Sequence, residues 1–207
     1  MIKQRNNPGA PIRRVTVYAA SSGALANHYV EAAAEAGRVI ARAGLEIVYG
    51  GGNTGLMGAM ANAALGAGGQ VHGVVPTFLK ELEVTHEGLS SLEVVEDMRQ
   101  RKHLMLYRSD AVITLPGGCG TYEEVFEALT LKRLGQWLGP VVFLNTRGFY
   151  SGLDEFMRHA IRERFMGEAH GSMWSMVNEP AALVDALSEA PAWGAEALNS
   201  ATVRATG

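Results

Sequence analysis

The chain has 207 residues, of which 47% are hydrophobic, and this is enough for one sizeable core in a single domain. The net charge of −3, with acidic and basic residues interspersed, leaves no basic stripe and argues against nucleic acid as a partner. The single cysteine, Cys119, excludes an intrachain disulfide. The first residues lack the apolar core of a signal peptide, and no stretch approaches the roughly 18 apolar residues of a membrane span. We therefore expect a cytoplasmic protein without a membrane partner.

Short β-branched runs alternate with longer helical patterns along the middle of the chain. Strands are predicted at RRVTVYA, LEIVY, QVHGVVP, SLEVV, DAVITL, PVVFLN and SMWSMV, and helices over Asn27 to Ala43, from Gly55, from Asp97, from Thr121, from Tyr150 to Phe165 and after Pro180. This alternation predicts an α/β fold with a doubly wound, mainly parallel sheet and helices on both faces. We assign residues 13–190 to this domain, and residues 1–12 and 191–207 to loose tails.

Two glycine-rich runs, GGGNTGLMG (Gly50 to Gly58) and PGGCGTYEE (Pro116 to Glu124), each follow a predicted strand and open a predicted helix. A turn of this kind directs backbone N–H groups and the positive end of a helix toward one point. The two runs therefore predict two anion cradles, and a phosphate is the group that suits them.

The first run also satisfies the dinucleotide fingerprint G-x-G-x-x-G through Gly50, Gly52 and Gly55. That fingerprint is normally answered by an acidic residue at the end of the next strand, whereas this chain has VVPTF around Pro76. A nicotinamide dinucleotide is therefore disfavoured, and the missing G-K-[ST] ending excludes a P-loop triphosphatase. The alternative is that these glycines serve only a tight turn and close helix packing.

In the second run, Thr121 and Glu124 have the T-x-x-E spacing of a capping box, which taken alone favours helix capping. A carboxylate beside a phosphate cradle is electrostatically unfavourable unless chemistry uses it, so Glu124 is also a candidate catalytic group. Helical periodicity places Glu124 in the first turn, near the sheet edge. The inward stripe of this helix is predicted to be Tyr122, Val125, Phe126 and Leu129, with Glu123 and Glu127 solvated.

Arg101 is turned inward in the helix that contains MRQRK, because it falls between Leu104 and Met105 on the helical wheel. A buried guanidinium without an anion is costly, so either a structural carboxylate or a ligand phosphate should meet it. Lys102 faces either the same pocket or the solvent.

The remaining candidates are weaker. The six histidines show no metal-binding spacing, and we predict no metal site. Cys119 lies in a phosphate-loop neighbourhood, but no histidine is near it in sequence, and a passive loop position is favoured. Ser21 and Ser22, after the first strand, suit a helix cap or a phosphate contact, with capping as the default.

Together, GGGNTGLMG, MRQRK and PGGCGTYEE, in this order and spacing, resemble the LOG (Lonely Guy) family, often labelled possible lysine decarboxylases. The resemblance covers roughly Arg14 to Leu187. It implies a Rossmann-like fold and a phosphoribohydrolase that cleaves the N-glycosidic bond of cytokinin riboside 5′-monophosphates, and commonly AMP, to the free base and ribose 5-phosphate. It also implies no metal or redox cofactor, and a homodimer in which both protomers help form each pocket.

Position by position, the resemblance implies that Arg101 and Glu124 are catalytic. The substrate contacts that it implies fall on Glu83, Lys102, Gly118, Cys119, Gly120, Thr121, Tyr122, Glu123 and Thr130. The two anion cradles and the first loop add Gly117, Gly51, Gly52, Asn53, Thr54, Gly55 and Ser22 as substrate-binding candidates. Two departures from the family pattern, Arg99 for a histidine and Ala19-Ala20 for Cys-Gly, bear on the base preference more than on the chemistry.

The decarboxylase label is not supported by the residues, because a pyridoxal phosphate enzyme needs a Schiff-base lysine in a recognisable context, which Lys102 does not offer. A non-catalytic alternative is a carrier of a phosphorylated ligand, similar to molybdenum cofactor carrier proteins. Glu124 separates the two, since an anion carrier gains little from a carboxylate at its phosphate loop. The apolar residues that would suit a dimer interface are Leu134, Trp137 and Leu138.

Overall fold

The computed structural model describes residues 10–82 and 85–194, which form one parallel sheet covered by helices. The strands are β1 (Arg14–Tyr18), β2 (Glu46–Tyr49), β3 (Val71–Pro76), β4 (Ser91–Val95), β5 (Ala111–Thr114), β6 (Val141–Leu144) and β7 (Ser175–Val177). The helices are α1 (Asn27–Arg42), α2 (Gly55–Gly66), α3 (Thr77–Leu82), α4 (Met98–Tyr107), α5 (Cys119–Arg133), α6 (Ser151–Arg162) and α7 (Leu183–Ser188). Three 3₁₀ segments cover Thr146–Gly148, Glu168–Ser172 and Pro180–Ala182.

The strand order is β4-β3-β2-β1-β5-β6-β7, and every neighbouring pair is parallel. The predicted doubly wound α/β fold is therefore confirmed. The central strands β5 and β6 are buried along their whole length, as strands covered on both faces must be. The chain runs outward in one direction from β1 to β4 and in the other from β5 to β7. The switch point therefore lies between β1 and β5, where the loops that follow these strands diverge.

The sheet separates two apolar cores. One contains Ile40 of α1 and Leu56 of α2 beneath Val15, and the other contains Met105 of α4 and Val125 of α5. The alternating side chains of β1 show the division, since Val17 belongs to the first core and Tyr18 to the second. The two helices that carry the predicted catalytic residues thus pack on the same face.

Three elements differ from their prediction. Helix α3 was not predicted, because six residues after Pro76 are too few to show helical periodicity. Helix α5 begins at Cys119 rather than Thr121, and α6 spans Ser151–Arg162 rather than Tyr150 to Phe165. Among the residues described, no helix has the length and apolar character needed to cross a bilayer.

The last described residues pack against α5. Trp193 is buried, and its indole Nε1 donates to the carbonyl of Lys132 at 2.7 Å, so the chain beyond 190 docks on the end of α5. Residues 195–207 and 1–9 of the two predicted tails lie outside the described residues. Trp137, which would suit a core or an interface position, is buried in the second core of this chain.

Candidate active site

A cavity of about 330 Å³ opens at the switch point between β1 and β5. Its walls come from the loop after β1, the first turns of α2 and α4, and the first turns of α5. The lining residues are Ala19, Ala20, Ser21, Ser22, Met57, Met98, Arg101, Gly118, Gly120, Thr121, Glu123 and Glu124. The volume lies at the lower end of the range typical of small-molecule sites. The two residues that the family resemblance marks as catalytic thus share one pocket.

Arg101 is buried in the wall of this cavity. Its Nε donates to the carbonyl of Val74 at 3.2 Å, its Nη2 donates to the carbonyl of Gly50 at 3.0 Å, and its Nη1 lies 3.6 Å from the Sδ of Met98. None of the ion pairs among residues 10–82 and 85–194 involves Arg101. Two carbonyls fix the guanidinium without neutralising it, so its charge is available to an anionic ligand.

Glu124 faces Arg101 from the start of α5. The pKa of its carboxyl group is raised from 4.5 to about 7, mainly by burial; the charge of Arg101 opposes this shift and that of Glu123 adds to it. A carboxyl group in a cavity with a pKa near neutrality gains and loses a proton under physiological conditions. This is the property expected of a group that takes part in chemistry.

The first turn of α5 lines the cavity through Gly118, Gly120 and Thr121. The cap position is Gly118, which has no side chain, so the capping box of Thr121 and Glu124 does not form, and that prediction is wrong. The helix begins two residues earlier, which frees both side chains for the cavity. The first N–H groups of a helix lack helical acceptors, and here they face a cavity wall that also contains Ser22. Thr121 is buried against Gly117, where an added Cβ would lie 2.1 Å from the threonine Oγ1.

The first glycine run holds the loop after β1 against the start of α2. The N–H groups of Leu56 and Met57 at the start of α2 donate to the carbonyl of Ala20 at 2.9 and 3.2 Å. Gly55 has φ +60°, and an added Cβ would lie 2.5 Å from the carbonyl oxygen of Ser22. The run therefore holds the loop after β1 against α2, as in the packing alternative. Five residues of this run were predicted to contact the substrate, and all five lie outside the cavity lining: Gly51, Gly52, Asn53, Thr54 and Gly55.

Lys102 also lies outside the cavity lining. Its ammonium group pairs with Glu123 and with Glu127, the latter at 2.7 Å, and these contacts join α4 to α5 at the cavity rim. Both glutamates were predicted to be solvated: Glu123 is exposed and also lines the cavity, and Glu127 is partly exposed.

The other predicted contacts are divided. Ser22 lines the cavity, and it does not cap α1, which begins at Asn27 with Ala26 at the cap position. Gly117, Cys119, Tyr122 and Thr130 are not in the lining, and Glu83 lies outside the described residues. Phe126, predicted to face inward, is 38% exposed; the buried face of α5 is instead formed by Thr121, Val125, Ala128, Leu129 and Lys132.

Four lining residues were not predicted as site residues: Ala19, Ala20, Met57 and Met98. The two alanines could have been found from their position directly after β1, at the switch point. Met98 lies three residues before Arg101 on the same helical face. Met57 is both a core residue and a wall of the cavity.

Comparison with known proteins places the chain in a family. A sequence profile described as "Possible lysine decarboxylase" matches residues 57–187. The cytokinin riboside 5′-monophosphate phosphoribohydrolase of Rhodococcoides fascians is 46% identical over 158 residues, which cover 76% of this chain and 80% of that protein. The enzyme of the same name, LOG1, from Arabidopsis thaliana is 40% identical over 154 residues, or 74% of this chain and 72% of that protein.

Solved structures share the fold at lower sequence identity. The molybdenum cofactor carrier protein of Chlamydomonas reinhardtii aligns with a TM-score of 0.67 at 22% identity, over 86% of this chain and 98% of that one. The molybdenum cofactor binding protein of Rippkaea orientalis aligns with a TM-score of 0.65 at 19% identity, over 86% and 96% of the two chains. These likenesses support the fold alone. From the profile match and the identities to curated relatives, the chain belongs to the LOG family of possible lysine decarboxylases, as its three motifs predict.

Proposed function

We propose that this protein hydrolyses the N-glycosidic bond of a nucleoside 5′-monophosphate and releases the free base and ribose 5-phosphate. The curated relatives carry the name cytokinin riboside 5′-monophosphate phosphoribohydrolase. The observation that carries the proposal is the meeting of Arg101, Glu124 and the start of α5 in one cavity. A cation, a carboxyl group that titrates near neutrality and an anion cradle are the three groups that this reaction needs.

The 5′-phosphate belongs at the start of α5 in this proposal. The N–H groups at Gly118, Gly120 and Thr121 and the hydroxyl of Ser22 supply neutral donors, and the helix end supplies a partial positive charge. Binding the phosphate there positions the sugar deeper in the cavity, so remote binding energy is used to orient the reacting bond.

Glu124 acts on the anomeric carbon. As the bond from C1′ to the base nitrogen breaks, its electron pair leaves with the base, and positive charge grows on the ribose. The ionised carboxylate stabilises that charge, and water completes the hydrolysis by adding hydroxide to C1′ and a proton to the base. Stabilising the cation, activating water and attacking as a nucleophile all require the ionised form of Glu124.

Arg101 serves as the fixed cation of the site. Its guanidinium is held by carbonyls and keeps N–H groups that these contacts do not use, so it binds the anionic substrate and lowers the pKa of Glu124. Both effects favour the ionised carboxylate that the reaction uses.

Lys102 and Thr130 lie outside the cavity and can contact a substrate only if a second chain completes the site. We propose a cytoplasmic homodimer, in which Lys102 and the exposed Thr130 on the outer surface of α4 and α5 contact the nucleotide bound by the partner. Gly117, Cys119 and Tyr122 are proposed as substrate contacts at the phosphate loop, as the family pattern implies. Glu83 is proposed as a further substrate contact on the family resemblance alone.

The test is a product assay with AMP and a cytokinin riboside 5′-monophosphate, in which free base and ribose 5-phosphate are both quantified. We expect the two products in equal amounts, and no release from the corresponding nucleosides that lack the phosphate. Binding of AMP with no release of adenine would instead favour the carrier alternative. Glu124 argues against a carrier, since a carboxylate near the cradle weakens anion binding.

A further inference from the structure

Gly50, the first glycine of GGGNTGLMG, lies directly against the guanidinium of Arg101. A Cβ added at this position would lie 1.9 Å from the Nη2 of Arg101, 3.1 Å from its Cζ and 3.4 Å from the Sδ of Met57. The first distance is far inside van der Waals contact. Any other residue at position 50 would therefore move the guanidinium from the place where it is found.

The backbone conformation does not explain this glycine. Gly51 and Gly55 have φ angles of +81° and +60°, which favour glycine, whereas Gly50 is not among the residues with positive φ. An L-residue can adopt the backbone of Gly50 without strain. The space that the missing side chain leaves is the feature that requires glycine.

The same residue supplies one of the two acceptors that hold the guanidinium. Gly50 follows β2 directly and accepts from Nη2, and Val74 of the neighbouring strand β3 accepts from Nε. The two carbonyls and the empty Cβ position form a seat whose shape matches a planar guanidinium. An ammonium group has neither this shape nor two donors at that spacing.

We propose that Gly50 is a positioning residue for the reaction: it seats the guanidinium of Arg101 at the cavity wall, and it does not bind the phosphate of the substrate. This inference rests on the proposed function for its kinetic consequence alone. It reassigns the first glycine of the motif from an anion cradle to the support of a cation.

Gly50→Ala is the direct test. The added methyl meets the far end of a flexible side chain, so we expect the protein to fold with the guanidinium displaced. A displacement of about 1 Å in a catalytic group costs up to about 100-fold, and we expect kcat/KM for AMP to fall about 10- to 100-fold. Gly66→Ala is the control, because it makes the same substitution at the exposed end of α2, outside the cavity lining, where an added Cβ meets nothing within 4 Å. Its turnover should stay within about twofold of the wild type per folded molecule.

A double-mutant cycle separates seating from general damage. In an Arg101→Ala background the group that clashes with the new methyl is gone, so Gly50→Ala should cause no further loss of turnover or of unfolding free energy. Equal losses from Gly50→Ala in both backgrounds would overturn the proposal, because the methyl would then act on something other than Arg101.

A second readout does not depend on catalysis. The carboxyl group of Glu124 can be titrated by ¹³C NMR, and displacement of the Arg101 charge should raise its pKa in Gly50→Ala but not in Gly66→Ala. An unchanged titration in Gly50→Ala would contradict the proposal. If the wild type releases no adenine from AMP while this shift is present, the proposed function fails and the seating role stands.

Free guanidinium ion gives a third measurement. Added to Arg101→Ala, it should restore part of the lost turnover by occupying the seat, with saturation at millimolar concentration. In Gly50→Ala/Arg101→Ala the methyl fills the seat, and the restoration should disappear. Equal restoration in both proteins, or none in Arg101→Ala, would overturn the proposal.

Discussion

The guanidinium of Arg101 and the carboxyl group of Glu124 line one cavity from neighbouring helices, and burial holds the pKa of Glu124 at about 7 although Arg101 pulls it down. The two residues are 23 positions apart in sequence, and strand β5 follows α4 and precedes α5 along the chain. Because α4 and α5 both pack on the same face of the sheet, their first turns open toward the switch point. The fold therefore creates the pairing, and the proposed chemistry depends on it.

Glu124→Gln should reduce turnover of AMP by about 100- to 1000-fold with little change in binding. The amide keeps the shape of the side chain but lacks the negative charge that stabilises the transition state. Adenine release at saturating AMP and calorimetric binding provide the two measurements. Glu155→Gln, an exposed surface change on α6, is the control and should behave as the wild type. Undiminished turnover in Glu124→Gln would remove this residue from the mechanism.

The pH dependence of the reaction should follow the ionisation of Glu124. Since its pKa is raised to about 7 and the ionised form is the active one, kcat/KM should rise with pH and level off above about 7. The phosphate of AMP titrates near pH 6 and adds a second rising limb. The residual activity of Glu124→Gln should keep only the phosphate limb. A wild-type profile that falls through pH 7 would indicate a protonated acid instead.

The same pKa shift makes a prediction about stability. In the unfolded chain Glu124 ionises around pH 4.5, whereas burial in the folded protein delays ionisation to about 7, so the folded state loses stability as pH rises between these values. Glutamine does not titrate. The unfolding free energy of Glu124→Gln should therefore match that of the wild type near pH 4.5 and exceed it by about 1–3 kcal/mol above pH 7. Urea unfolding at several pH values measures the difference, and a constant offset would contradict the burial of this carboxyl group.

The ionisation of Lys132 changes stability with pH in the opposite direction. Its side chain is buried at the end of α5, where the ammonium donates to the carbonyl of Gly139 at 2.9 Å, and burial lowers its pKa from 10.5 to about 8. The folded protein thus releases the proton earlier than the unfolded chain, and stability rises with pH between about 8 and 10.5. The stability of Lys132→Met relative to wild type should be greatest below pH 8 and fall by up to about 3 kcal/mol by pH 10.5. Thermal unfolding of both proteins from pH 7 to 10.5 tests this, and parallel curves would contradict it.

The architecture was predictable because the hydrophobic periodicity and the residues that end each element predict the same strands and helices along the chain. Runs such as DAVITL are too apolar and too short for anything but a buried strand, and each is followed by a helix long enough to cross back over the sheet. Arg101 was predictable for a related reason, since the helical wheel places it between Leu104 and Met105, and a buried guanidinium needs an anionic partner. Helix α3 was not predictable, because one and a half turns carry no periodic signal.

The glycine runs show where sequence reasoning reached its limit. Both runs have the same local pattern, yet only the second contributes glycines to the cavity lining, and the N–H groups at the start of α2 are taken by the carbonyl of Ala20. That contact joins residues more than thirty positions apart, and no local signal reports it. The capping box failed in the same way: the spacing of Thr121 and Glu124 was correct, but the helix begins at Cys119.

A crystal structure of the Glu124→Gln variant with AMP bound tests whether Arg101 and position 124 act on one nucleotide. We expect the phosphate within hydrogen-bonding distance of the N–H groups at Gly120 and Thr121. We also expect the C1′ atom of the ribose beside position 124, with Arg101 still held by the carbonyls of Gly50 and Val74. Ordered AMP bound outside the cavity between α4 and α5, or inside it with the base at the start of α5 and the phosphate in solvent, would contradict the proposed function.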